Sequence, residues 1–152
     1  MGKEYTVPRW QQSYLKDYWF SGKMHKGKKI PDIFVPIFDW GNNLQEGITY
    51  NQMFVNWYKD GSHYIGAHSD NEKDLVKNSP ILSISLGETR VFRIRDKKTN
   101  KIIKDISLIN GSYIIMGGNM QENYTHEIVK VAGNKGKNMK KRINITFRQF
   151  TK

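Results

Sequence analysis

The chain of 152 residues has the length of a single domain, and its content of 38% hydrophobic and 12% aromatic residues excludes an intrinsically disordered protein. Cysteine is absent, which excludes a disulfide scaffold, a cysteine-ligated zinc site and a cysteine nucleophile. The sequence has neither a signal peptide nor an apolar run long enough to span a membrane. It therefore predicts an intracellular protein, in the cytoplasm or the nucleus, that is neither secreted nor attached to a membrane.

The composition is strongly basic. Lysine and arginine number 25 against 14 aspartate and glutamate residues, which gives a net charge of +11. A charge of this sign favours a polyanionic partner such as nucleic acid. The basic residues form two clusters, one of Lys23, Lys26, Lys28 and Lys29, the other of Lys135, Lys137, Lys140, Lys141 and Arg142. A lysine-rich solvated surface explains the same composition, so charge alone leaves both interpretations open.

The first third of the chain carries weak secondary-structure signals. Residues 1–50 contain three of the four prolines and show little periodicity. One short helix is predicted near residues 32–40, limited by Pro36 and Gly41. No internal repeat or linker divides the chain, which is therefore predicted to form one domain over residues 1–152.

From Thr49 onward the pattern is typical of β-strands. Apolar and polar residues alternate, and turn signals such as Lys59-Asp60-Gly61 separate the runs. Strands are predicted at residues 53–58, 81–86, 90–95, 102–108, 111–116, 125–131 and 142–150. A series of short strands separated by turns indicates an all-β sandwich, jelly roll or barrel.

Two potential metal ligands, His68 and Asp70, are separated by one residue. In a strand, residues i and i+2 face the same way, so the imidazole and the carboxylate would converge. One more histidine would complete a 2-His-1-carboxylate triad, which occupies one face of an octahedral iron(II) and leaves the other face open. His126, at the start of a predicted strand, is the natural partner, since His25 is expected at the surface and His63 in a turn. An ordinary half-buried strand histidine is the alternative for His126.

The last predicted strand carries two arginines on one face. Residues 142, 144, 146 and 148 are Arg, Asn, Thr and Arg, whereas residues 143, 145 and 147 are apolar. Guanidinium groups bind carboxylates through paired hydrogen bonds, so this face predicts a socket for a small dicarboxylate. Arg142 and Arg148 would be about 20 Å apart along an extended strand and would serve different ends of such a ligand. An amphipathic strand with a solvated outer face is the alternative.

A longer series of motifs connects the two features: Asn56-x-Tyr58, Lys59-Asp60-Gly61, Ile65-Gly66-x-His68-x-Asp70-x-Glu72, Ser83-x-Ser85-x-Gly87, Tyr124-x-His126 and Arg142-x-Asn144-x-Thr146-Phe147-Arg148. In this order they resemble the AlkB family of iron(II)/2-oxoglutarate dioxygenases. The resemblance implies a mainly β fold, the double-stranded β-helix or jelly roll, with a short N-terminal α/loop segment that recognises nucleotides. It also implies the cofactors Fe2+, 2-oxoglutarate and O2. The catalytic iron would be bound by His68, Asp70 and His126, and 2-oxoglutarate by Asn56, Tyr58, Arg142, Asn144 and Arg148.

The resemblance extends to the N-terminal segment, residues 1–48, which would recognise the substrate, while residues 49–152 would form the catalytic jelly roll. Pro8-Arg9-x-Gln11-x-x-Tyr14 and Tyr18-x-Phe20 resemble the base-recognition segment of DNA-repairing animal members. This implies that Phe20 stacks on an extruded base against the ring of His68. It also implies that Tyr18 and Glu72 reach the base edge and that Arg9 lies at the pocket. Ordinary packing over the sheet is the alternative for the aromatic residues.

The activity that the resemblance implies is oxidative demethylation of N-alkylated bases in DNA or RNA, with release of formaldehyde, succinate and CO2. Little chain precedes Pro8, which implies that the hydrophobic finger of duplex-acting relatives is missing or reduced and favours single-stranded substrates. A monomer is expected, and the basic loop 135–141 lies where relatives contact the nucleic-acid backbone. Two alternatives stay open: an AlkB-like hydroxylase or demethylase of protein or small-molecule substrates, and a non-catalytic nucleic-acid-binding module.

Overall fold

The structure, a computed structural model, describes residues 8–20 and 22–151; residues 1–7, the start of the predicted substrate-recognition segment, lie outside this range. The first elements are β1 (Trp10–Tyr14), β2 (Tyr18–Phe20), β3 (Lys23–His25), β4 (Gly27–Lys28), a 3₁₀ turn at Asp32–Phe34 and α1 (Val35–Asn43). They are followed by β5 (Gln52–Tyr58), β6 (Ile65–His68), β7 (Ile81–Gly87), β8 (Arg90–Asp96), β9 (Ile102–Leu108), β10 (Ser112–Met116), α2 (Met120–Asn123), β11 (Tyr124–Ile128), α3 (Gly133–Lys137) and β12 (Arg142–Arg148). Within the described part of the chain, no helix has the length and apolar composition needed to cross a membrane.

Two sheets form the body of the fold. The larger sheet has the strand order β10-β7-β12-β5-β1-β4, and the smaller has the order β6-β11-β8-β9. Between β5 and β12 the chain passes repeatedly from one sheet to the other, through antiparallel pairings, which is the path of a jelly roll. The predicted mainly β jelly roll is confirmed.

Strand alternation gives the larger sheet two different faces. In β5, Asn56 and Tyr58 point into the interior between the sheets, where they line a cavity. Met53 and Val55 point to the opposite face and pack with the residues of α1 and its neighbours. The helix therefore covers part of the outer face, and the polar residues of the central strands are directed inward.

Helix α1 has nine residues, as many as the predicted helix, but covers Val35–Asn43 instead of residues 32–40. Pro36 lies in the first turn of the helix, where a backbone N–H has no acceptor within the helix and its absence in proline costs nothing. Pro36 therefore helps to begin the helix and does not limit it. Gly41 lies inside the helix and packs so closely on Phe147 and Leu82 that an added β-carbon would displace them. The helix continues to Asn43 because Gly41 serves close packing and not termination.

The strands of the N-terminal segment are the main difference from the predicted α/loop arrangement. β1 pairs with β5 and extends the larger sheet, whereas β2 and β3 form a separate two-stranded sheet. These strands have between two and five residues, too few to show a local alternation. β1 pairs with the distant β5, whereas β2 and β3 form a tight hairpin. They nevertheless bring Tyr18 into the core, against Phe54 and Phe150.

Candidate active site

The three predicted metal ligands meet in the interior. His68 is the last residue of β6 and lies opposite His126 of β11, which brings the two ring centroids to 4.3 Å. Asp70 Oδ1 lies 3.4 Å from His68 Nε2 and 3.9 Å from His126 Nε2. One ligand atom from each residue lies within 4.8 Å of the others, which suits a shared ion. Because β6 ends at His68, a loop and not the predicted strand alternation aims the carboxylate.

Neighbouring groups orient each ligand. The Gly66 carbonyl oxygen accepts a hydrogen bond from His68 Nδ1 at 2.8 Å, so Nε2 presents its lone pair to the ion site. Arg148 donates from Nε and Nη2 to Asp70 Oδ2, at 2.9 and 2.8 Å. The backbone N–H of Asp70 donates to Gln121 Oε1 at 2.8 Å. Asp70 is therefore held by its backbone and by one carboxylate oxygen.

Burial and charge keep the ligands in their metal-binding protonation states. Burial alone would raise the pKa of the Asp70 carboxyl, but Arg148 and the two histidines lower it well below its usual range. Burial, and then repulsion from His68, lowers the pKa of His126 to about 3. At neutral pH Asp70 is a carboxylate and His126 a neutral imidazole, which are the forms that bind a metal.

A buried carboxylate oxygen without a partner shows that the site fits a cation. Asp70 Oδ1 is buried without a hydrogen-bond partner and faces Nε2 of both histidines. An unpaired buried polar atom costs about 1–3 kcal/mol, so the protein alone leaves this centre incomplete. A cation bound by Asp70 Oδ1 would supply the missing interaction. Two imidazoles and one carboxylate form the donor set expected for iron(II).

The polar face of β12 is buried, so the alternative of a solvated outer face is wrong. Arg142, Asn144, Thr146 and Arg148 are all more than nine-tenths buried. β12 lies between β7 and β5 in the larger sheet, and this face lines the same cavity of about 50 Å³ as the three metal ligands. The structure therefore brings the arginine face and the candidate ion site together.

Arg142 has unused hydrogen-bonding capacity. It is 1% exposed, and its Nη2 donates to Ser85 Oγ at 2.9 Å. Its Nε and Nη1 are buried without partners, and the ring of Tyr58 lies 5.0 Å from the guanidinium carbon. Burial lowers the pKa of Arg142, but a guanidinium stays charged at neutral pH. A carboxylate would pair both free donors, so Arg142 fits one end of a dicarboxylate.

Arg148 is already paired with a carboxylate of the protein. Burial lowers its pKa, but the adjacent Asp70 more than compensates and raises the pKa above its usual value. Only Nη1 is buried without a partner. Arg148 therefore orients a candidate metal ligand first and has one donor left for a bound molecule.

Two of the remaining predicted cosubstrate residues, Asn56 and Asn144, belong to a polar network, while Tyr58 lines the cavity beside them. Asn144 Nδ2 donates to Ser83 Oγ at 2.7 Å, and its Oδ1 accepts from Thr146 Oγ1 at 3.0 Å and from Asn56 Nδ2 at 3.4 Å. Asn56 Oδ1 in turn accepts from Arg9 Nε at 3.0 Å. The network links the N-terminal segment to the centre of the larger sheet.

The four predicted substrate residues lie together beside the ion site. Phe20 lies edge-on to the ring of His68, with centroids 5.5 Å apart, and the ring of Tyr18 is nearly parallel to Phe20 at 5.8 Å. The Arg9 guanidinium carbon lies 5.5 Å from the centroid of Phe20. The Tyr18 hydroxyl donates to Glu72 Oε1 at 2.6 Å, while Glu72 Oε2 is buried without a partner.

Two expectations for surface residues are wrong. His25 is half-buried, because β3 places its ring edge-on to Phe54 at 5.4 Å. Arg142 does not belong to the second basic surface cluster, because the alternation of β12 turns it into the interior. His63 lies in the turn as predicted, and its Nδ1 accepts from the backbone N–H of Lys59.

Two residues support the site in roles that were not predicted from the sequence, the half-buried Gln121 and the buried Arg90. Gln121 holds the backbone of Asp70. Arg90 is 2% exposed and donates to the carbonyl oxygens of Asp60, Gly61, His63 and Val129. The alternation of Arg90 with Phe92 on the inward face of β8 was a usable signal for an internal arginine.

The comparisons with known proteins agree with this geometry. The model of the 2OG-Fe(II) oxygenase superfamily matches residues 4–148. The DNA oxidative demethylase ALKBH2 of Homo sapiens is 31% identical over 159 residues, which cover 98% of this chain and 59% of that protein. The alpha-ketoglutarate-dependent dioxygenase alkB homolog 3 of Rattus norvegicus is 32% identical over 110 residues, which cover 67% of this chain and 36% of that protein. The solved structure of OsALKBH1 shares the fold, with a TM-score of 0.62 and 22% identity over 91% of this chain and 77% of that one.

A jelly roll with two histidines and one carboxylate around a shared point defines the class of non-haem iron(II) oxygenases. The chain belongs to the 2OG-Fe(II) oxygenase superfamily and, within it, to the AlkB family. The cofactors of the family are iron(II), 2-oxoglutarate and O2. The chain spans between 55% and 64% of the length of the three mammalian ALKBH2 proteins that it matches.

Proposed function

We propose that this chain oxidatively demethylates N-alkylated bases in DNA or RNA. The observation that carries the proposal is the position of Phe20, whose ring lies beside the candidate iron ligand His68 and parallel to the ring of Tyr18. A flat aromatic wall with a carboxylate at its edge fits a nucleobase better than it fits a flexible side chain or a small aliphatic molecule. Relatives named as DNA oxidative demethylases support the same assignment.

In this proposal His68, Asp70 and His126 hold the iron, and Arg142 binds the carboxylate of 2-oxoglutarate that is farther from it. Arg148 contributes Nη1 to the cosubstrate and keeps Asp70 in place through its other nitrogens. The remaining cavity residues Asn56, Tyr58 and Asn144 complete the wall of the cosubstrate site.

When iron(II), 2-oxoglutarate and O2 are bound, they supply an oxidation that hydroxylates the methyl group, converts 2-oxoglutarate to succinate and CO2, and releases formaldehyde from the base. The protein positions the methyl group near the ion site and excludes water from a buried cavity. A base such as 1-methyladenine or 3-methylcytosine is cationic, so the carboxylate of Glu72 favours it over the unmodified base. Its free Oε2 can accept a hydrogen bond from an exocyclic amine.

The recognition residues leave room for a base only after a movement. Two rings that hold a base between them stand about 7 Å apart and parallel. Phe20 and His68 are 5.5 Å apart and inclined by 69°, so Phe20 has to turn when a base enters. We infer that single strands are preferred, because an unpaired base reaches such a site at the lowest cost. We also infer a monomeric enzyme, since one chain supplies every residue of the site.

The test is mass spectrometry of methylated single- and double-stranded DNA and RNA oligonucleotides after incubation with iron(II), ascorbate and 2-oxoglutarate. We expect loss of the methyl mass from single strands, with formaldehyde formed in equal amount, and no loss with His126→Ala. Succinate formation without demethylation of any oligonucleotide would favour a protein or small-molecule substrate. The absence of succinate formation together with oligonucleotide binding would favour a binding module.

A further inference from the structure

The proposed function leaves one exposed aromatic group unexplained. Trp10 and Trp57 lie on the outer face of the larger sheet, 48% and 42% exposed, with ring centroids 4.5 Å apart. The ring of His63 lies 4.9 Å from that of Trp10. We call these three residues the aromatic platform. Adjacent tryptophans on a protein surface mark a place where another molecule binds, since their exposure to water is unfavourable.

The platform is held by rigid elements. Trp10 and Trp57 are opposite one another in the pairing of β1 with β5, and Trp57 is also opposite Ile143 of β12. The ring of His63 is fixed by the hydrogen bond that its Nδ1 accepts from the backbone N–H of Lys59, at 3.2 Å. Little conformational entropy is therefore lost when a flat ligand stacks on these rings.

The surroundings of the platform are basic. Trp57 borders a groove of about 760 Å³ that is also lined by Lys59, Lys140 and Lys141. One carboxylate, Glu88, lies in the same groove, where its Oε2 accepts from the backbone N–H of Lys140 at 2.9 Å. The groove thus has an excess of positive charge beside exposed aromatic rings. Aromatic rings that stack with bases, next to lysines that pair with phosphates, are the combination that binds single-stranded nucleic acid.

We propose that the aromatic platform and the lysines of this groove bind a single strand of nucleic acid, with unpaired bases stacked on Trp10 and Trp57. The site is separate from the pocket that accepts the modified base. The inference rests on the proposed function in one respect: the nucleic-acid strand on the platform is the same strand that carries the modified base to be oxidised. The positive charge of the groove is the reason for choosing nucleic acid over a peptide or a second copy of the chain.

The position of β1 connects the two sites. Arg9 and Trp10 are consecutive, but Arg9 points inward to Phe20 and Asn56, whereas Trp10 points outward to Trp57. β1 pairs with β4 only at Ser13 and Tyr14, so its edge beside Trp10 carries no strand within the described residues. A nucleic-acid strand that passes over this edge would contact the platform on one face and the base pocket on the other.

The test uses the full chain and a fluorescein-labelled oligothymidylate of about 12 nucleotides, a length within the range bound by single-strand-binding modules. This probe has no methylated base, so binding does not depend on demethylation. We expect Trp57→Ala and Trp10→Ala each to weaken binding at least about fivefold in fluorescence anisotropy, and Trp57→Phe to weaken it less. The matched control is Trp40→Ala, since Trp40 is 41% exposed on α1 and packs on Tyr113 of β10, at the edge of the larger sheet farther from β1.

A second measurement tests the lysines. The double substitution Lys140→Ala and Lys141→Ala should reduce the slope of log Kd against log salt concentration by about 1.4, because each phosphate contact with a single strand contributes about 0.7. The control is Lys98→Ala, which removes an exposed lysine from the turn between β8 and β9. Circular dichroism of each variant establishes that it is folded.

The outcomes separate this inference from the proposed function. If oligothymidylate binds and both tryptophan variants weaken it while no substrate is demethylated, the platform stands and the proposed activity is wrong. If demethylation occurs but Trp57→Ala and Trp40→Ala bind the probe as tightly as the unchanged chain, the platform is wrong. It is equally overturned if Trp57→Ala abolishes self-association in sedimentation without affecting binding of the probe.

Discussion

Arg142 and Arg148 occupy equivalent positions on the same face of β12, yet their surroundings give them different tasks. Two nitrogens of Arg148 donate hydrogen bonds to Asp70, whereas two nitrogens of Arg142 are buried without partners. A buried guanidinium with unpaired donors lowers the stability of the fold until an anion binds to it, whereas a guanidinium already paired with a carboxylate does not. Under the proposed function, this difference gives Arg142 the main part in cosubstrate binding and Arg148 the main part in orienting the candidate metal ligand Asp70.

Arg142→Ala should raise the KM for 2-oxoglutarate by roughly 100-fold, because it removes charge-assisted hydrogen bonds worth about 3 kcal/mol. Steady-state kinetics with a methylated single strand measures this change. Arg95→Ala is the matched control, since Arg95 pairs with Glu127 outside the cavity. An unchanged requirement for 2-oxoglutarate in Arg142→Ala would contradict the assignment.

Phe20→Leu should raise the KM for a methylated oligonucleotide about tenfold and leave the slow turnover of 2-oxoglutarate without substrate unchanged. Leucine keeps most of the volume of the side chain but has no π face to stack on a base, a contact worth about 1–3 kcal/mol. Phe20→Tyr keeps the ring and should stay close to the unchanged chain. Equal losses in both reactions would show that Phe20 supports the fold and not the base.

At the scale of elements, the helix α3 is held in place by close backbone packing at Gly136. Gly136 lies so near the carbonyl of Val131 that an added β-carbon would overlap its oxygen. The carbonyl oxygen of Gly136 accepts from the backbone N–H of Gly61, and the carbonyl oxygen of Gly61 accepts from that of Val131. α3 therefore ties the turn after β5 to the basic segment before β12.

Gly136→Ala should lower the free energy of unfolding by about 2–4 kcal/mol, because the clash is with backbone and cannot be relieved by a side-chain rotation. Urea denaturation measures the change. Gly117→Ala provides the comparison, since the nearest atom to a β-carbon added there would be the β-carbon of Pro80, at 4.0 Å. Its effect on the free energy of unfolding should stay within about 0.5 kcal/mol.

The strands of the jelly roll could be predicted because alternation and turn residues are local signals. β5 and β7 to β12 lie within a few residues of their predicted positions. The short strands β1 to β4 are formed by pairing with distant residues or by a tight hairpin, so no local pattern predicts them. The end of α1 at Asn43 was also not predicted, because the role of Gly41 depends on Phe147, which is far away in sequence.

The candidate site shows the same limit. The three candidate metal ligands could be brought together from residue types and family motifs, but the position of Asp70 in a loop could not be predicted, since strand alternation gives no information beyond His68. The alternation of β12 correctly groups Arg142 with Arg148, yet burial of that face follows only from the place of β12 within the larger sheet. The role of Gln121 could not be predicted from alternation, because its side chain accepts a hydrogen bond from the backbone N–H of Asp70 and not from another side chain.

At the scale of the whole molecule, unpaired polar atoms in the interior predict that ligands stabilise the fold. Iron(II) or manganese(II) together with a non-reactive analogue of 2-oxoglutarate should raise the free energy of unfolding by about 2.7 kcal/mol at 100 times the Kd. Thermal denaturation under nitrogen measures the shift. His126→Ala should lose the response to metal, whereas His25→Ala, outside the triad, should keep it.

The central position of β12 has a consequence for biosynthesis. Residues 142–148 follow every other site residue in the order of translation, but their strand joins β7 to β5 and supplies both arginines. A nascent chain or a truncated product that ends before Arg142 therefore has two half-sheets with exposed edges and a histidine pair without its arginines. Such a chain can neither complete the larger sheet nor supply the two arginines of the cavity, so the candidate site forms only after Arg148 has been synthesised.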